Sequence, residues 1–298
     1  MSDETLVSQR DTKNNGENPP SPPFNKGGDT LSPLLKKGGE PSNPPLGKDG
    51  GPSIPPLEKG DTGGFSGEKK AFVEKKFSSI TPRYDFLNSL LSLNIDRYWR
   101  WVTARELDNY TGGPILDLCA GTLPLSLSIA GRRPERYVLA LDLCRDMLAY
   151  GRNRLNGRVA GRQIIPICAD GEEIPCCDNS FSGITVAFGV RNLSNLDKGL
   201  KEMWRVLRPG GKLVILEFSR PKNPVMRTLY FFYLMRILPY IGGRISGDEE
   251  AYRYLANSIR LFYSPEELAQ KMKNTGYVKV TYRPLTAGIV TLYTGEKP

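Results

Sequence analysis

Short apolar segments alternate with helical segments from Gly113 onward, and this alternation constrains the fold more than any other feature of the sequence. Several of the apolar segments have no polar face, which is typical of strands buried on both sides of a sheet. We predict five such strands, at residues 115–118, 137–143, 163–168, 183–188 and 212–218. Helices are predicted between them at residues 125–131, 146–155 and 196–207. This order predicts an α/β fold, in which a mostly parallel sheet carries helices on both faces.

Two further strands are predicted near the C-terminus, at residues 278–283 and 289–294. They follow a predicted helix at residues 265–275 and can pair with each other as an antiparallel edge. The predicted sheet then has seven strands.

Residues 1–70 differ in composition from the rest of the chain. They hold 11 of the 24 prolines and 12 of the 31 glycines, with few β-branched or aromatic residues. Such a segment buries too little apolar surface to offset the entropy of ordering its backbone. We therefore predict a disordered tail over residues 1–70 and one folded domain over residues 71–298.

A loose Pro-rich repeat recurs within this tail, at residues 21–28, 32–39, 43–51 and 54–60. One interpretation is a ligand for a partner domain, and the other is a solvated low-complexity extension that takes no part in the chemistry. We favour the extension, because nothing in the sequence orders the repeats against each other.

The positive charge of the chain belongs to the predicted domain. The chain has 41 basic and 32 acidic residues and a formal net charge of +9, whereas residues 1–70 contribute 9 basic and 10 acidic residues. A basic domain favours anionic membrane surfaces, nucleic acid or acidic substrates. The charge alone does not choose among these.

The chain has no histidine and five cysteines, and no two of the cysteines form a C-x-x-C pair. These counts argue against a metal site and a disulfide framework, and they favour a reducing, cytoplasmic compartment. The start of the chain is not typical of a signal peptide, and no segment reaches the ~18 continuous apolar residues of a membrane span. Because histidine is absent, a proton abstracted in the active site must pass to a carboxylate, a phenol, an amine or water.

Acidic residues lie at the carboxyl ends of the first three predicted strands, at Asp117, Asp142 and Asp170. Ligands of open α/β sheets bind beyond the carboxyl ends of the strands. Each acid taken singly is better explained as a turn or capping residue. Three acids at the ends of three successive strands favour one shared ligand instead.

The turn after the first strand distinguishes between two nucleotide cofactors. It contains a single glycine, Gly121, beside Ala120, whereas a nicotinamide-binding turn has the pattern G-x-G-x-x-G. Asp117 would repel a pyrophosphate, but it suits the ammonium group of a methionine tail. Asp142 is placed to accept both hydroxyls of a ribose, and Asp170 can accept from the exocyclic amine of adenine. The set therefore favours S-adenosylmethionine.

Five segments of the domain carry a more specific pattern. They read Tyr-Asp-Phe-Leu-Asn-Ser-Leu-Leu-Ser at 84–92, Ala-Phe-Gly-Val-Arg-Asn at 187–192, Leu-Arg-Pro-Gly-Gly-Lys-Leu at 207–213, Leu-Glu-Phe-Ser at 216–219 and Tyr-Arg-Tyr-Leu-Ala-Asn-Ser-Ile at 252–259. On these segments the domain resembles the UbiE/MenG quinone C-methyltransferases, over nearly all of residues 71–298. The resemblance implies the Rossmann-like fold of class I methyltransferases.

The resemblance also implies an activity, which is transfer of a methyl group from S-adenosylmethionine to a ring carbon of a reduced, prenylated quinone precursor. Demethylmenaquinol and its benzoquinol counterpart are such precursors. Loss of a phenolic proton pushes electron density onto the ortho carbon, which then attacks the methyl group in line. The protein must hold the two molecules in line, exclude water and help to remove the proton.

Site residues follow from the same resemblance. The implied cofactor-binding residues are Asp117, Ala120, Gly121, Thr122, Asp142, Leu143, Asp170, Gly171 and Phe188. The implied catalytic residues are Arg191 and Asn192, which would orient the phenol or an activating water, and Tyr84 and Asp85, whose segment lies over the cofactor. Asp85 has an alternative interpretation as a helix cap.

The apolar segment at residues 229–241 has two interpretations, a lid over an apolar substrate and a buried core helix. Arg227, Arg236 and Arg244 lie around it. These cations suit peripheral docking to the inner face of an anionic bilayer, where a prenylated substrate resides.

Three positions depart from the pattern of the family. Gly121-Thr-Leu-Pro124 stands where the family usually has Gly-Thr-Gly-Asp, Asp96 where it generally has histidine, and Ser182 where it usually has aspartate. Because a side chain restricts the backbone more than glycine does, we expect Leu123 and Pro124 to affect cofactor binding. The departures motivate a second hypothesis, a binding protein that has kept the fold and lost catalysis.

Methylation of nucleic acid is a third hypothesis, motivated by the basic domain. We rank it last, and expect no nucleic-acid partner, because the chain has no Asn/Asp-Pro-Pro-aromatic motif and no appended RNA-binding domain.

Overall fold

The computed structural model describes residues 66–110, 112–155, 159–246 and 249–298. A seven-stranded sheet has the order β3-β2-β1-β4-β5-β7-β6. The strands are β1 Ile115–Leu118, β2 Val138–Asp142, β3 Ile164–Cys168, β4 Phe181–Ala187, β5 Leu207–Phe218, β6 Val278–Leu285 and β7 Val290–Glu296. Neighbouring strands pair in parallel, except that β7 runs antiparallel to both β5 and β6. The predicted sheet, mostly parallel with antiparallel pairing at one edge, is confirmed.

Helices surround this sheet. In the described part of the chain they are α1 Ser66–Leu91, α2 Ile95–Arg105, α3 Pro124–Arg132, α4 Arg145–Leu155, α5 Leu196–Val206, α6 Pro224–Phe232, α7 Leu238–Ser246, α8 Glu249–Leu261 and α9 Pro265–Thr275. A π-helical turn, Tyr233–Ile237, joins α6 to α7.

The sheet is buried on both faces because its strands carry apolar side chains on both sides. Ile115 of β1 belongs to one core, which includes residues of α2, α3 and α4. Leu116 belongs to the other, which includes residues of α5 and α9. Successive side chains of a strand point to opposite faces, so one uniformly apolar strand serves both cores. This arrangement confirms the helices predicted on both faces.

The folded domain begins before residue 71. Residues 1–65, with the four repeats, lie outside the described residues, but residues 66–70 of the predicted tail form the start of α1. The Lys69 Nζ donates to the carbonyl oxygen of Leu193 at 2.6 Å, and the Lys70 Nζ donates to Asp170 Oδ2 at 2.7 Å. These contacts anchor the first turns of α1 to the rest of the domain, so the helix begins within the predicted tail, four residues before its predicted end.

The apolar segment at residues 229–241 has one packed face and one exposed face. Tyr230, Leu234 and Leu238 are buried in a cluster with residues of α8. Leu229 and Phe232 are each 59% exposed. The core-helix interpretation therefore holds for one face of the segment only. None of the helices in the described residues is long and apolar enough to cross a membrane.

Candidate active site

Two cavities adjoin at the carboxyl ends of the parallel strands. The first, which we call the strand-end cavity, is lined by residues at the ends of β1, β2, β3 and β4 and by α1. The second, the helix-side cavity, is lined mainly by α1, α2 and α8. Phe77, Tyr84 and Phe188 line both cavities. These three side chains therefore form the boundary between them.

The strand-end cavity gathers most of the predicted cofactor-binding residues. Those that line it are Gly121, Asp142, Leu143, Asp170, Gly171 and Phe188. Asp117, Ala120 and Thr122 line neither cavity, and each is buried. The expected convergence of three acids is thus reduced to two, Asp142 and Asp170.

Asp117 points away from the strand-end cavity. Its carboxylate accepts hydrogen bonds from Ser126 Oγ at 2.5 Å and from Thr185 Oγ1 at 2.8 Å. Burial raises the pKa of this carboxyl to about 6, although the two hydroxyl donors act in the opposite direction. Asp117 shares a face of β1 with Ile115, and α3 covers that face. The carboxylate therefore joins β1, β4 and α3, and its predicted contact with a methionine ammonium group stays a prediction.

Asp142 holds together the loops that follow β1 and β2. Its Oδ2 accepts the N–H of Gly121 at 2.8 Å, and its Oδ1 accepts the N–H of Cys144 at 2.8 Å. Burial raises the pKa of the carboxyl, and the backbone donors oppose this rise. Gly121 has φ +53°, a conformation that disfavours a side chain. A half-buried carboxylate in the wall of the cavity is thereby fixed in position.

Leu123 does not narrow the strand-end cavity. Its side chain is fully buried in the protein core and lines neither cavity. A Cβ placed on Gly151 of α4 would lie 2.8 Å from Leu123 Cγ, so this glycine leaves room for the leucine. Pro124 is at the first turn of α3, where a missing N–H costs nothing. Leu123 nevertheless has φ +69°, a left-handed conformation that favours glycine, so its expected effect on cofactor binding would act through the backbone of the loop and stays a prediction.

Helix α1 covers the strand-end cavity. Val73, Glu74, Phe77 and Tyr84 of α1 line it, together with Lys70. The Lys70 Nζ lies 2.7 Å from Asp170 Oδ2 and 3.0 Å from Glu172 Oε2. An ion pair therefore ties the N-terminal part of α1 to the loop after β3.

The helix-side cavity has aromatic walls. Trp99, Phe188 and Phe218 line it, and the rings of Phe188 and Phe218 are 4.5 Å apart between centroids. Phe188 has φ +58°, which is uncommon for a residue with a side chain. The next residue must be glycine, because a Cβ on Gly189 would lie 2.3 Å from Cys119 Cβ. This close contact of the loops after β1 and β4 places Phe188 between the two cavities.

Arg191 lines the helix-side cavity and is paired with a buried acid. Its Nη1 donates to Glu217 Oε1 at 2.9 Å and also to the carbonyl oxygen of Phe188. Glu217 is fully buried, and burial raises the pKa of its carboxyl while Arg191 lowers it. The sequence prediction missed Glu217. An acid within an otherwise apolar buried strand requires a partner, and this signal was present at residues 213–218.

Asn192 and Tyr84 were predicted to be catalytic, and Tyr254 lies beside them. Asn192 lines the strand-end cavity, and its Oδ1 accepts a hydrogen bond from the hydroxyl of Tyr254 at 3.3 Å. Burial raises the pKa of Tyr84, and it raises the pKa of Tyr254 to about 12. Both phenols therefore remain protonated near neutral pH and serve as hydrogen-bond donors, not as bases.

Asp85 lines neither cavity, although it was predicted to be catalytic. It accepts a hydrogen bond from Thr122 Oγ1 at 2.5 Å and pairs with Arg154. It also lies inside α1 and not at its start, so the helix-cap alternative is wrong. Asp85 instead connects α1 to the loop after β1 and to α4.

Asp96 and Ser182 are the two remaining departures from the family pattern, and only Asp96 lies in a cavity wall. Asp96 is buried, lines the helix-side cavity and pairs with Arg100. Ser182 is buried in β4 and donates to the carbonyl oxygens of Gly113 and Pro114, at 3.1 and 3.2 Å. Ser182 therefore has a structural contact, whereas Asp96 belongs to the site.

The segment at residues 229–241 does not close over the site. None of its residues lines either cavity, and α8 supplies Ala251, Tyr252, Tyr254 and Leu255 to the helix-side cavity instead. The lid interpretation is therefore wrong for these cavities. The residues that the structure describes contain no group of His, Cys, Asp or Glu side chains placed to hold a metal ion.

Comparisons with known proteins agree with this geometry. Residues 65–297 match the ubiE/COQ5 methyltransferase family. The chain is 41% identical over 231 residues to the ubiquinone/menaquinone biosynthesis C-methyltransferase UbiE of Geotalea daltonii, covering 77% of this chain and 98% of the relative. It is 40% identical to the demethylmenaquinone methyltransferase of Corynebacterium glutamicum, covering 76% and 94%.

A solved structure supports the fold independently. The chain superposes on a methyltransferase of Thermotoga maritima that depends on S-adenosylmethionine, with a TM-score of 0.53 and 15% identity, covering 75% of this chain and 99% of the other. At this identity the likeness concerns the fold alone. Because the family match spans all of the described domain except its last residue, the chain belongs to the ubiE/COQ5 methyltransferase family.

Proposed function

We propose that this chain transfers a methyl group from S-adenosylmethionine to a ring carbon of a reduced, prenylated quinone precursor. The observation that carries the proposal is the pair of adjoining cavities, one with two carboxylates at strand ends and one with aromatic walls, separated by three side chains. The names of the relatives, which refer to ubiquinone, menaquinone and demethylmenaquinone, support this class of acceptor.

The donor set of the strand-end cavity fits S-adenosylmethionine. Each oxygen of Asp142 already accepts one backbone N–H, but a carboxylate oxygen accepts two hydrogen bonds, so Asp142 can also accept the ribose hydroxyls. Asp170 would accept from the adenine amine, and Gly121 would let the backbone approach the ligand. When bound, the cofactor supplies a methyl group activated by the positive charge on sulfur.

The quinol ring would lie in the helix-side cavity, between the aromatic side chains of Trp99, Phe188 and Phe218. These side chains pack against a flat ring and exclude water from it. Arg191, oriented by Glu217, would donate to a ring oxygen and hold the ring in position. Tyr84 and Tyr254 would add neutral donors, and Asn192 would orient the acceptor from the strand-end side. The boundary formed by Phe77, Tyr84 and Phe188 is then where the methyl group crosses.

Label transfer tests the proposal. Purified protein is incubated with S-adenosylmethionine labelled in the methyl group and with demethylmenaquinol or its benzoquinol counterpart. We expect label in the quinol, and the preferred ring identifies the acceptor. Absence of turnover with both rings, together with tight binding of S-adenosylhomocysteine by calorimetry, would favour the binding-protein hypothesis instead.

We also propose that the protein docks peripherally on an anionic membrane surface. The exposed face of α6 and α7 carries Val225, Leu229, Phe232, Met235, Ile237 and Tyr240, each at least 37% exposed. Arg227, Arg236 and Arg244 are exposed on the same segment. Apolar side chains beside cations are the pattern of helices that lie in a membrane interface. Docking there would bring the helix-side cavity to a substrate that is held in the bilayer by its prenyl chain.

A further inference from the structure

The helix-side cavity has a single carboxylate in its wall. Among the described residues that line it, Asp96 is the only acid, and the other ionisable residues are Lys76, Arg100, Arg191 and the tyrosines of α1 and α8. Asp96 is 5% exposed and lies in the first turn of α2. The carboxylate is thus placed where the acceptor ring would bind.

Asp96 is held in place and retains free acceptor capacity. Its Oδ1 accepts a hydrogen bond from Ser92 Oγ at 2.9 Å, and its Oδ2 accepts one from Arg100 Nη1. Both donors line the same cavity. Each carboxylate oxygen accepts two hydrogen bonds, so one acceptor position remains on each oxygen.

The other groups near the ring cannot take a proton. Lys76, Arg100 and Arg191 are cations, and burial raises the pKa values of Tyr84 and Tyr254, which stay protonated. The Glu217 carboxylate is fully buried and lines neither cavity, so it does not reach the ring. The chain has no histidine. The remaining acceptors of the proton are therefore Asp96 and water.

We propose that Asp96 is the catalytic residue that accepts the phenolic proton of the acceptor ring during methyl transfer, an assignment that rests on the proposed function. A carboxylate is too weak a base to deprotonate a resting phenol. As the ring carbon attacks, the carbon–carbon bond forms and the sulfur–carbon bond breaks. The ring oxygen supplies electrons to the ring and becomes positive, so its proton becomes strongly acidic. At that point the carboxylate is a competent acceptor.

The step balances in atoms and charge. The methyl group leaves the sulfonium, which becomes a neutral thioether, and the hydroxyl proton passes to Asp96 as the ring oxygen becomes a carbonyl. The methylated carbon still carries its hydrogen, and loss of that proton to water restores the aromatic ring. The carbonyl oxygen then regains a proton from Asp96.

Asp96→Asn tests the assignment, because the amide keeps the size of the side chain and cannot accept the proton. We expect kcat for methyl transfer to fall by about 10²-fold or more, in the range of general acid–base catalysis. The affinity for S-adenosylhomocysteine should stay within about twofold, since Asp96 does not line the strand-end cavity. Asp96→Glu should retain part of the activity.

Chemical rescue separates catalysis from a structural ion pair. Asp96→Ala leaves space for a small acid, so formate should restore turnover of this variant in proportion to its concentration. Asp108→Asn is the matched control, because it breaks an ion pair with Arg132 and lines neither cavity. This control should keep the kcat of the unmodified chain.

The outcomes distinguish two failures. If the unmodified chain does not methylate any quinol, the proposed function fails. If the unmodified chain is active and Asp96→Asn keeps its kcat, or if formate has no effect on a folded Asp96→Ala, the assignment of Asp96 is overturned and the proposed function stands.

Discussion

Arg191 and Glu217 are opposite charges buried side by side, with side chains 4% and 0% exposed. Neither charge can remain in the interior without the other, because an isolated buried ion has lost its hydration. We expect Glu217→Gln to lower the free energy of unfolding by about 3–5 kcal/mol, as for other broken buried pairs. The double change Arg191→Met with Glu217→Gln removes both charges and should recover most of the stability without recovering methyl transfer.

Urea unfolding and the label-transfer assay measure the two effects. Glu249→Gln is the control, since it breaks an exposed pair with Arg253 and should leave the free energy of unfolding nearly unchanged. A Glu217→Gln variant as stable as the unmodified chain would contradict the account of this pair.

Asp117 makes stability depend on pH. Burial raises the pKa of its carboxyl to about 6, whereas the value in an unfolded chain is about 3.9. The folded protein therefore binds this proton more tightly, so the contribution of Asp117 to the free energy of unfolding falls as pH rises from about 4 to about 6. The fall amounts to about 3 kcal/mol at most.

Asp117→Asn should remove this contribution, because the amide does not titrate. We compare the free energy of unfolding of the variant with that of the unmodified chain at each pH. The variant should be more favoured in this comparison at pH 7 than at pH 4. Urea unfolding of both proteins at the two pH values gives the comparison. An equal difference at both values would show that Asp117 does not titrate in this range.

At the scale of elements, α1 is the helix that ligand binding should affect most. It covers the strand-end cavity with Val73, Glu74, Phe77 and Tyr84. A ligand in the cavity adds contacts to this helix in the folded state only, so opening of α1 becomes less favourable. Hydrogen exchange of α1 amides should slow when S-adenosylhomocysteine binds. Helix α9 lines neither cavity and is the control; equal slowing in both helices, or none in α1, would contradict this role.

A separate prediction concerns the membrane affinity of the α6–α7 segment. Leu229→Ser with Phe232→Ser removes two apolar side chains that are each 59% exposed, so folding should be little affected while membrane affinity falls. Cosedimentation with vesicles of phosphatidylglycerol and phosphatidylcholine measures the loss. Val278→Ser with Tyr282→Ser changes exposed residues of β6 and should bind like the unmodified chain. Equal binding by all three proteins would contradict docking through α6 and α7.

The strands were predictable because a segment buried on both faces must be apolar throughout, and few other structures require this. Helix α1 was not predicted, because its first residues resemble the polar tail and are ordered by long-range contacts such as Lys70 with Asp170. Asp117 was placed correctly at a strand end, but its environment depends on which face α3 covers. The partnership of Arg191 with Glu217 joins residues 26 positions apart, which the sequence order alone does not reveal.

For the whole molecule, the central claim concerns the relation of the two cavities. The strand-end cavity contains carboxylates from the ends of two strands of the sheet. The helix-side cavity is built mainly from α1 and α2, which precede the sheet in the chain, and from α8, which follows β5. Neither cavity alone implies methyl transfer, because a nucleoside site and an apolar cavity each occur in many binding proteins. Their shared boundary at Phe77, Tyr84 and Phe188 makes in-line transfer geometrically possible.

A crystal structure with S-adenosylhomocysteine and demethylmenaquinol bearing a short prenyl chain tests this claim most directly. The account predicts that the ribose hydroxyls contact Asp142 and that the quinol ring lies among Trp99, Phe188 and Phe218. The reacting ring carbon should face the sulfur across the boundary of the two cavities. A nucleoside bound away from Asp142, or a quinol ring outside the helix-side cavity, would contradict the account.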